Sequence, residues 1–371
     1  MITRRIALTA ALAAGAVLVS AVPAAAGGAA APFPVAVGLD NPRGLAFGPD
    51  GALYVAEAGR GGTGPCQKEG PEGGPVCFGR SGAVTRVSHG RQKRILRGLP
   101  SLASPEGTEA GGVSDVAVDR RGTLWFTVGL GGNPDLRSQL KELAGMAKLY
   151  KVGRHGPSAV ADLGAFEKRA NPDGVQPPDT NPNSVAVVRD GQVVADAGGN
   201  SLVRVGSRGR VSTLAVFPQR MVPAPAGIPG GPPEGTPIPM QAVPTSVVQG
   251  PDGAYYVGEL TGFPFVNGKA RVWRVRPGHQ PMVYATGFTN IIDLAFGPDH
   301  QLYVLEIAKN GLLSGDQTGA LIRVDKHGKR KEVLSKGLTA PGGLAIRGKS
   351  AFISNCSVCK GTGTVLRVTL H

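Results

Sequence analysis

At 371 residues the chain is longer than a usual single domain, and its formal net charge of +14 is strongly basic. Charge of that size raises nucleic acid as a partner, but no binding helix and no aromatic-studded basic strand face accompanies it. A membrane span is excluded as well, because the one long apolar run, near the start, is short for crossing a bilayer.

In that run, Arg4 and Arg5 precede an Ala/Leu/Val stretch, and Ala24, Ala25 and Ala26 supply the small residues of a cleavage site. Residues 1–26 read as a secretory signal peptide, so the protein is expected outside the cell. Thr3-Arg4-Arg5 leaves twin-arginine export open beside the general secretory route. No cysteine follows the run, which argues against a lipoprotein. The fold is expected to occupy residues 33–371 as one domain.

From residue 41 onward one phrase recurs: an apolar strand, a tight Gly/Asp turn, and a second apolar strand. The copies are LAFGPDGALYVAE (45–57), VAVDRRGTLWFTV (116–128), VAVVRDGQVVADA (185–197), VVQGPDGAYYVGE (247–259), LAFGPDHQLYVLE (294–306) and LAIRGKSAFISN (344–355). Each is followed by a third strand in which a basic residue precedes Val: Arg86, Lys151, Arg204, Arg274, Arg323 and Arg367. A repeat of about 40–60 residues built of short strands predicts a β-propeller. Gly98-Leu99, Gly287-Phe288 and Gly337-Leu338 end fourth strands. The sixth copy stops after its third strand, and its missing partner is VAVGL (35–39) at the other end of the chain. The fold class is therefore all-β, a six-bladed propeller of four-stranded blades, closed by the N-terminal strand.

Loop lengths distinguish two faces. Turns between strands one and two, and between three and four, are tight. The loops at 58–83, 129–148, 165–182, 218–244, 260–270 and 307–320 are long, and all fall on the opposite face. Leu136, Leu140 and Leu143 have helical spacing and predict a short helix within 135–147. The Pro/Gly-rich stretch 218–244 reads as an ordered, extended loop. Ligand recognition is expected on the long loops over the central channel. The partner there is a small molecule or an extracellular protein or glycan, with the protein a monomer. The tight-turn face gathers Arg91, Lys93, Arg94, Arg120, Arg121, Arg208, Arg210, Lys326 and Lys329, either as solvated turns or as a surface for an anionic envelope polymer or lipid.

The four cysteines form two close pairs, Cys66/Cys77 and Cys356/Cys359. In an exported chain local disulfides are the default, and a four-thiolate zinc site is the rival, since blades one and six are neighbours. Aligning the copies puts Glu57, Glu259, Glu306 and Asn355 in one column at the end of strand two, with Asp196 one residue off it. The start of strand one contributes Asp115, Asn183, Thr245 and Asp293. These nine are the candidate ligand-binding residues. Carboxylates and amides at a channel mouth suit a Ca²⁺ ion; alternatively they bond the backbone of the loops. The column Tyr54, Trp125, Tyr256, Tyr303 and Phe352 reads as core between blades. His89, His155, His279, His300 and His327 all fall in tight turns, which argues against a histidine base at the channel mouth. No nucleophile elbow, phosphate loop or zinc-binding His motif is present.

The stretches GLGGNP (129–134), Asn171–Asp173 with Asn181-Pro182-Asn183, and QAVPTSVVQGPDGAYYVGELTGFPF (241–265) resemble the ScyD/ScyE family of secreted bacterial propellers. The resemblance spans roughly residues 33–369, and that family implies no general activity. DAGGNSLVRV (196–205) is similar to the NHL repeat, and the strand grammar also looks like the SMP-30/gluconolactonase propellers. A lactonase of that kind implies one channel Ca²⁺, for which Glu57, Asn183, Asp293 and Glu306 stand in suitable positions. The chain departs from that pattern in lacking the opening Gly-Glu-x-Pro phrase. The expectation is a binding propeller without defined catalysis, with a Ca²⁺-dependent lactonase-like hydrolase as the alternative.

Overall fold

A computed structural model describes residues 31–68, 70, 74–227 and 230–370. The signal-peptide reading, and with it Arg4 and Arg5, lies outside the described residues. Six antiparallel four-stranded blades follow one another in chain order. Their innermost strands are Pro42–Phe47, Val113–Val118, Pro182–Val188, Pro244–Gln249, Ile291–Phe296 and Gly343–Arg347. Each packs on the next, and the last packs on the first, so the ring closes.

The closing device is the one the sequence predicts. Phe33–Leu39 is the outermost strand of the sixth blade, antiparallel to Gly363–Thr369, with Ala36 opposite Val365 and Leu39 opposite Gly363. Leu39 and Ala36 are 1% and 2% exposed, packed with Val365 of their own blade and Leu45, Leu53 and Val55 of the first. Burying a leucine of this kind contributes about 1.5–3 kcal/mol.

The core is divided among the six blade interfaces, each holding a separate apolar cluster. Strand alternation explains this: successive side chains point to opposite faces of a blade, and each face meets a neighbouring blade. Trp125, Tyr256 and Tyr303 are buried in these clusters, and Tyr54 and Phe352 pack against them, as the repeated aromatic column predicts. The repeated basic residue stands directly across from that aromatic, Arg86 opposite Tyr54 and Arg274 opposite Tyr256. Its head turns outward: Arg86 pairs with Asp50 at 2.7 Å, the Nε of Arg274 donates to Asp252 at 2.8 Å, and Lys151 lies 5.3 Å from the Trp125 ring.

The long loops carry their own structure. Helix α1 (Leu136–Gln139) and a 3-10 turn at Lys141–Gly145 form where the leucine spacing predicts helix. A second helix, α2 (Leu163–Ala170), occupies sequence expected to be loop. Asp162 caps it by accepting from the Ala165 N–H at 2.8 Å, and Asn171 ends it in the left-handed conformation. Residues 218–244 fold back as a two-stranded ribbon, Arg220–Pro223 against Pro237–Met240. Cys66 is bonded to Cys77 and Cys356 to Cys359, so local bridges, not a shared zinc, use the cysteines. Arg94, grouped above with the tight turns, instead reaches inward to Glu57 and Asp40.

Candidate functional site

The column at the end of strand two is occupied with loop anchoring. Glu57 is fully buried; its Oε2 accepts the Asp40 N–H at 2.8 Å, its Oε1 accepts the Thr85 hydroxyl at 2.6 Å, and Arg94 pairs with it at 2.6 Å. Glu306 accepts the Thr289 N–H at 2.7 Å, and Asn355 accepts the Thr339 N–H at 2.8 Å. Asp196 does the same for the Asn181 N–H at 2.6 Å. All four N–H groups sit just ahead of the first strand of the same blade. Burial pushes the Glu306 carboxyl up to about 7. Glu259 differs: it is enclosed by Arg220 at 3.0 Å, Arg271 at 3.1 Å and the Trp273 indole N–H at 2.6 Å.

Glu57, Glu259 and Glu306 therefore do not meet, each being held within its own blade. Among the described residues no three His, Cys, Asp or Glu side chains gather at one metal position. The set Glu57, Asn183, Asp293 and Glu306 consequently does not fit a single channel Ca²⁺. The five internal histidines lie in the tight turns, away from the long loops.

Two carboxylates of the inner strands act on each other electrostatically. Asp115 and Asp293 each stand third in an inner strand, in the second and fifth blades, which face each other across a six-blade ring. Asp115 accepts the Val116 and Val185 N–H groups, each at 2.8 Å, and the Ser184 hydroxyl at 3.0 Å. Asp293 accepts the Leu294 N–H at 2.7 Å and the Leu344 N–H at 2.6 Å. Each thus ties its blade to the next one. Burial raises the Asp115 carboxyl to about 7, and burial together with the Asp115 charge raises Asp293 well above the usual range. The Asp115 carboxylate packs against Gly44 of the first blade, where a Cβ would lie 1.9 Å from its Oδ1.

Above the pair, the starts of the inner strands form a rim. Asn183 donates to the Thr245 carbonyl at 2.7 Å, Thr245 to the Ile291 carbonyl at 2.7 Å, and Arg43 to the Ala110 carbonyl at 2.8 Å. A cleft of about 370 Å³ opens over this rim, floored by Arg43, Ser114 and Asn183 and walled by Glu106, Glu109 and Leu102. A second hollow of about 370 Å³ shares Leu102, Leu130, Gly131 and Asn181 with it and extends to Asp179 and Gln241. The two form one curved groove on the long-loop face, with apolar patches between carboxylates and amides. A hollow of about 580 Å³ beside the ribbon is lined mostly by Pro, Gly and apolar residues, and offers fewer groups to orient a ligand.

At the far end of the groove, Glu167, Asp173, Asp179 and Asp196 surround the turn at Gly198-Gly199. Burial, reinforced by the other three carboxylates, raises Glu167 to about 8. Burial raises Asp196 to about 6 against three opposing hydrogen bonds. Asp196 alone of these four is among the candidates read from the repeat. Helix α2, which carries Glu167, was signalled by its Asp162 cap and terminal Asn171.

No protein-family model matches the chain, and no curated protein sequence matches it. Solved structures do. One is a candidate gluconolactonase, 10% identical, covering 93% of this chain and 94% of that one with a TM-score of 0.51. Virginiamycin B lyase from Staphylococcus aureus is 11% identical, covering 90% and 96%, with a TM-score of 0.47. A gluconolactonase from Xanthomonas campestris is 12% identical, covering 93% and 99%, with a TM-score of 0.48. With a TM-score of 0.51 at 10% identity, the first of these shows the fold alone, in accord with the six four-stranded blades: this chain is a six-bladed β-propeller.

Proposed function

We propose that the protein is an exported propeller of the ScyD/ScyE type that binds a small molecule, or an exposed segment of an extracellular protein or glycan, in the groove over the channel mouth. The observation that supports this is the groove itself. It lies on the long-loop face, and its floor of Arg43, Ser114 and Asn183 combines a guanidinium, a hydroxyl and an amide beside apolar walls. The opposite face, with Arg120, Arg121, Arg208, Arg210, Lys326 and Lys329 exposed, would rest on an anionic envelope polymer or lipid surface. The groove is tested by a thermal-shift screen of sugars, lactones and aromatic pigments against wild type and Ser114→Leu, which fills the floor. Ligands that stabilise wild type must lose their effect in the variant. Unchanged shifts would place binding elsewhere.

A second reading is favoured by one observation. Asp115, raised to about 7, is the chain neighbour of Ser114, which lines the groove. A carboxylate poised there could take a proton from water attacking an ester or lactone carbonyl and return it to the leaving alkoxide. This lactonase-like hydrolase uses the channel pair rather than the strand-two column. Lactone hydrolysis that is absent from wild type, or unaffected by Asp115→Asn, would remove it.

A further inference from the structure

The Gly198-Gly199 turn of the third blade is oxygen-rich and without an internal cation. Glu167 on α2 is 1% exposed, and its Oε1 is enclosed without a hydrogen-bond partner. The hydroxyl of Ser201, which directly follows the turn and stands opposite Asp196, is enclosed and unpartnered as well. So is Oδ1 of Asn171, the residue that caps α2. None of Glu167, Asp173, Asp179 and Asp196 is in any of the salt bridges found among the described residues, although the chain carries 40 Lys and Arg.

The turn is shaped around these groups. A Cβ at Gly198 would lie 2.6 Å from Asp179 Oδ1, and one at Gly199 would lie 2.7 Å from Glu167 Oε2. Two adjacent glycines thus let carboxylates from a helix and a loop close on the turn from either side. Asn200 locks the arrangement by donating to Asp173 at 2.8 Å and to Gln241 at 3.0 Å. Asp173, Asp179 and Asp196 accept hydrogen bonds from nearby groups, but the enclosed Glu167 oxygen beside them has no donor, and what would balance it among carboxylates is a cation.

We propose that this turn is a cation site, where one hard divalent ion of the Ca²⁺ class is held by Glu167 and Asp179 on either side of Gly198-Gly199. Asp173, Asp196 and Ser201 serve its outer shell. Among the described residues no three His, Cys, Asp or Glu side chains gather at one metal position; with two carboxylates supplied by the protein, the rest of the roughly six to eight oxygens that such an ion takes come from water. Asp179 and Gly198 also line the groove, which puts the ion at the groove wall and apart from the channel pair.

The test uses the full exported chain, stripped with EDTA, desalted, and titrated with CaCl₂ at constant ionic strength by calorimetry and thermal melting. One equivalent of Ca²⁺ should bind with Kd on the order of 0.1–1 mM, the range of extracellular Ca²⁺ modules. The melting point should rise by about 4 °C at a hundredfold excess over Kd. Glu167→Gln and Asp179→Asn should each abolish the heat and the shift. Glu167→Gln keeps the side chain's shape and removes its charge, so it should melt without Ca²⁺ at or above the wild-type temperature, which separates loss of the site from misfolding. Asp293→Asn should keep the full response. No binding on the order of 10 mM Ca²⁺ overturns the proposal. An unaltered response in both turn variants, or a response lost only in Asp293→Asn, overturns it too.

Discussion

The raised carboxyls of Asp115 and Asp293, both partly buried, should make stability fall as pH rises from about 4 to 7 and beyond. A carboxyl whose folded pKa lies above its unfolded value holds its proton more tightly in the folded state. Between the two values the unfolded chain has already ionised, so raising the pH favours unfolding. For Asp115 the displacement runs from 3.8 to about 7. At about 1.4 kcal/mol per unit, full expression would be about 4 kcal/mol. Asp115 is only partly buried along the channel, so about 2 kcal/mol is the working figure. Other raised carboxyls, Glu167 and Glu306, act in the same direction, so wild type alone does not isolate the pair. Asp115→Asn does. The amide can keep one oxygen acceptor but faces an N–H with an NH₂ at the other, which costs about 1–2 kcal/mol from lost hydrogen bonds. At pH 5, below the raised Asp115 value, the variant should be less stable by that amount. At pH 8, above it, wild type bears the cost of the Asp115 charge and the deficit should shrink or reverse. Urea unfolding at pH 5, 6, 7 and 8, with EDTA present, reads the difference. Two parallel stability curves across that range would refute the coupling between these carboxyls.

Glu57→Gln leaves Arg94 without its main partner. Because Arg94 keeps Asp40 and reaches solvent, the loss in urea unfolding should be about 2–3 kcal/mol, below that of a fully enclosed pair. Removing residues 31–39 strips the outer strand from the sixth blade and exposes the edge at Gly363–Thr369, so size-exclusion chromatography should show oligomers or aggregate where wild type elutes as one species. Reversing Arg120, Arg121, Lys326 and Lys329 to Glu should lower the salt concentration at which the protein leaves a heparin column; unchanged elution would remove the anionic-surface reading. Under non-reducing denaturation the cysteines should give no thiol signal, and after reduction all four should react.

The ring, its closure and the two faces were legible because each rests on a repeated local pattern. A strand of alternating apolar residues can be read six times over, and the Gly-Leu ending of 35–39 matched the other blade ends. The site was less legible. Glu57 and Glu306 stand in one sequence column, but their partners, Asp40 and Thr289, are set by where the preceding loop turns. Neither spacing nor residue type shows which backbone N–H a carboxylate will meet. Helix α2 was missed because its eight residues carry too few apolar positions to display a period. Its capping pair, Asp162 and Asn171, was the available signal. That Asp115 and Asp293 stand in facing blades follows from the ring alone, since blades two and five of six face each other, but the room that Gly44 leaves for the Asp115 carboxylate is visible only in three dimensions.

The two adjacent columns divide the work of the propeller. At the end of strand two, Glu57, Asp196, Glu306 and Asn355 all accept an N–H ahead of strand one. A substitution there loosens the loop that carries the groove wall, whatever the ligand. Two residues ahead of the first apolar strand position, the chain instead carries Arg43, Ser114, Asn183, Thr245, Ile292 and Gly342 in turn. Three of these side chains, Arg43, Asn183 and Thr245, tie the rim by donating to carbonyls of a neighbouring blade or loop, but those bonds alone do not call for six different residues at one equivalent position. That position lies at the channel mouth, and three of its six occupants, Arg43, Ser114 and Asn183, floor the groove. If the groove binds as proposed, the varied column is where it would read a ligand, and the strand-two column carries scaffold strength. Exchanging Ser114 should then alter what binds with little change in melting, exchanging Asn183 should alter binding and also loosen the rim through its lost bond to the Thr245 carbonyl, and Glu57→Gln or Glu306→Gln should lower melting and leave the choice of ligand unchanged.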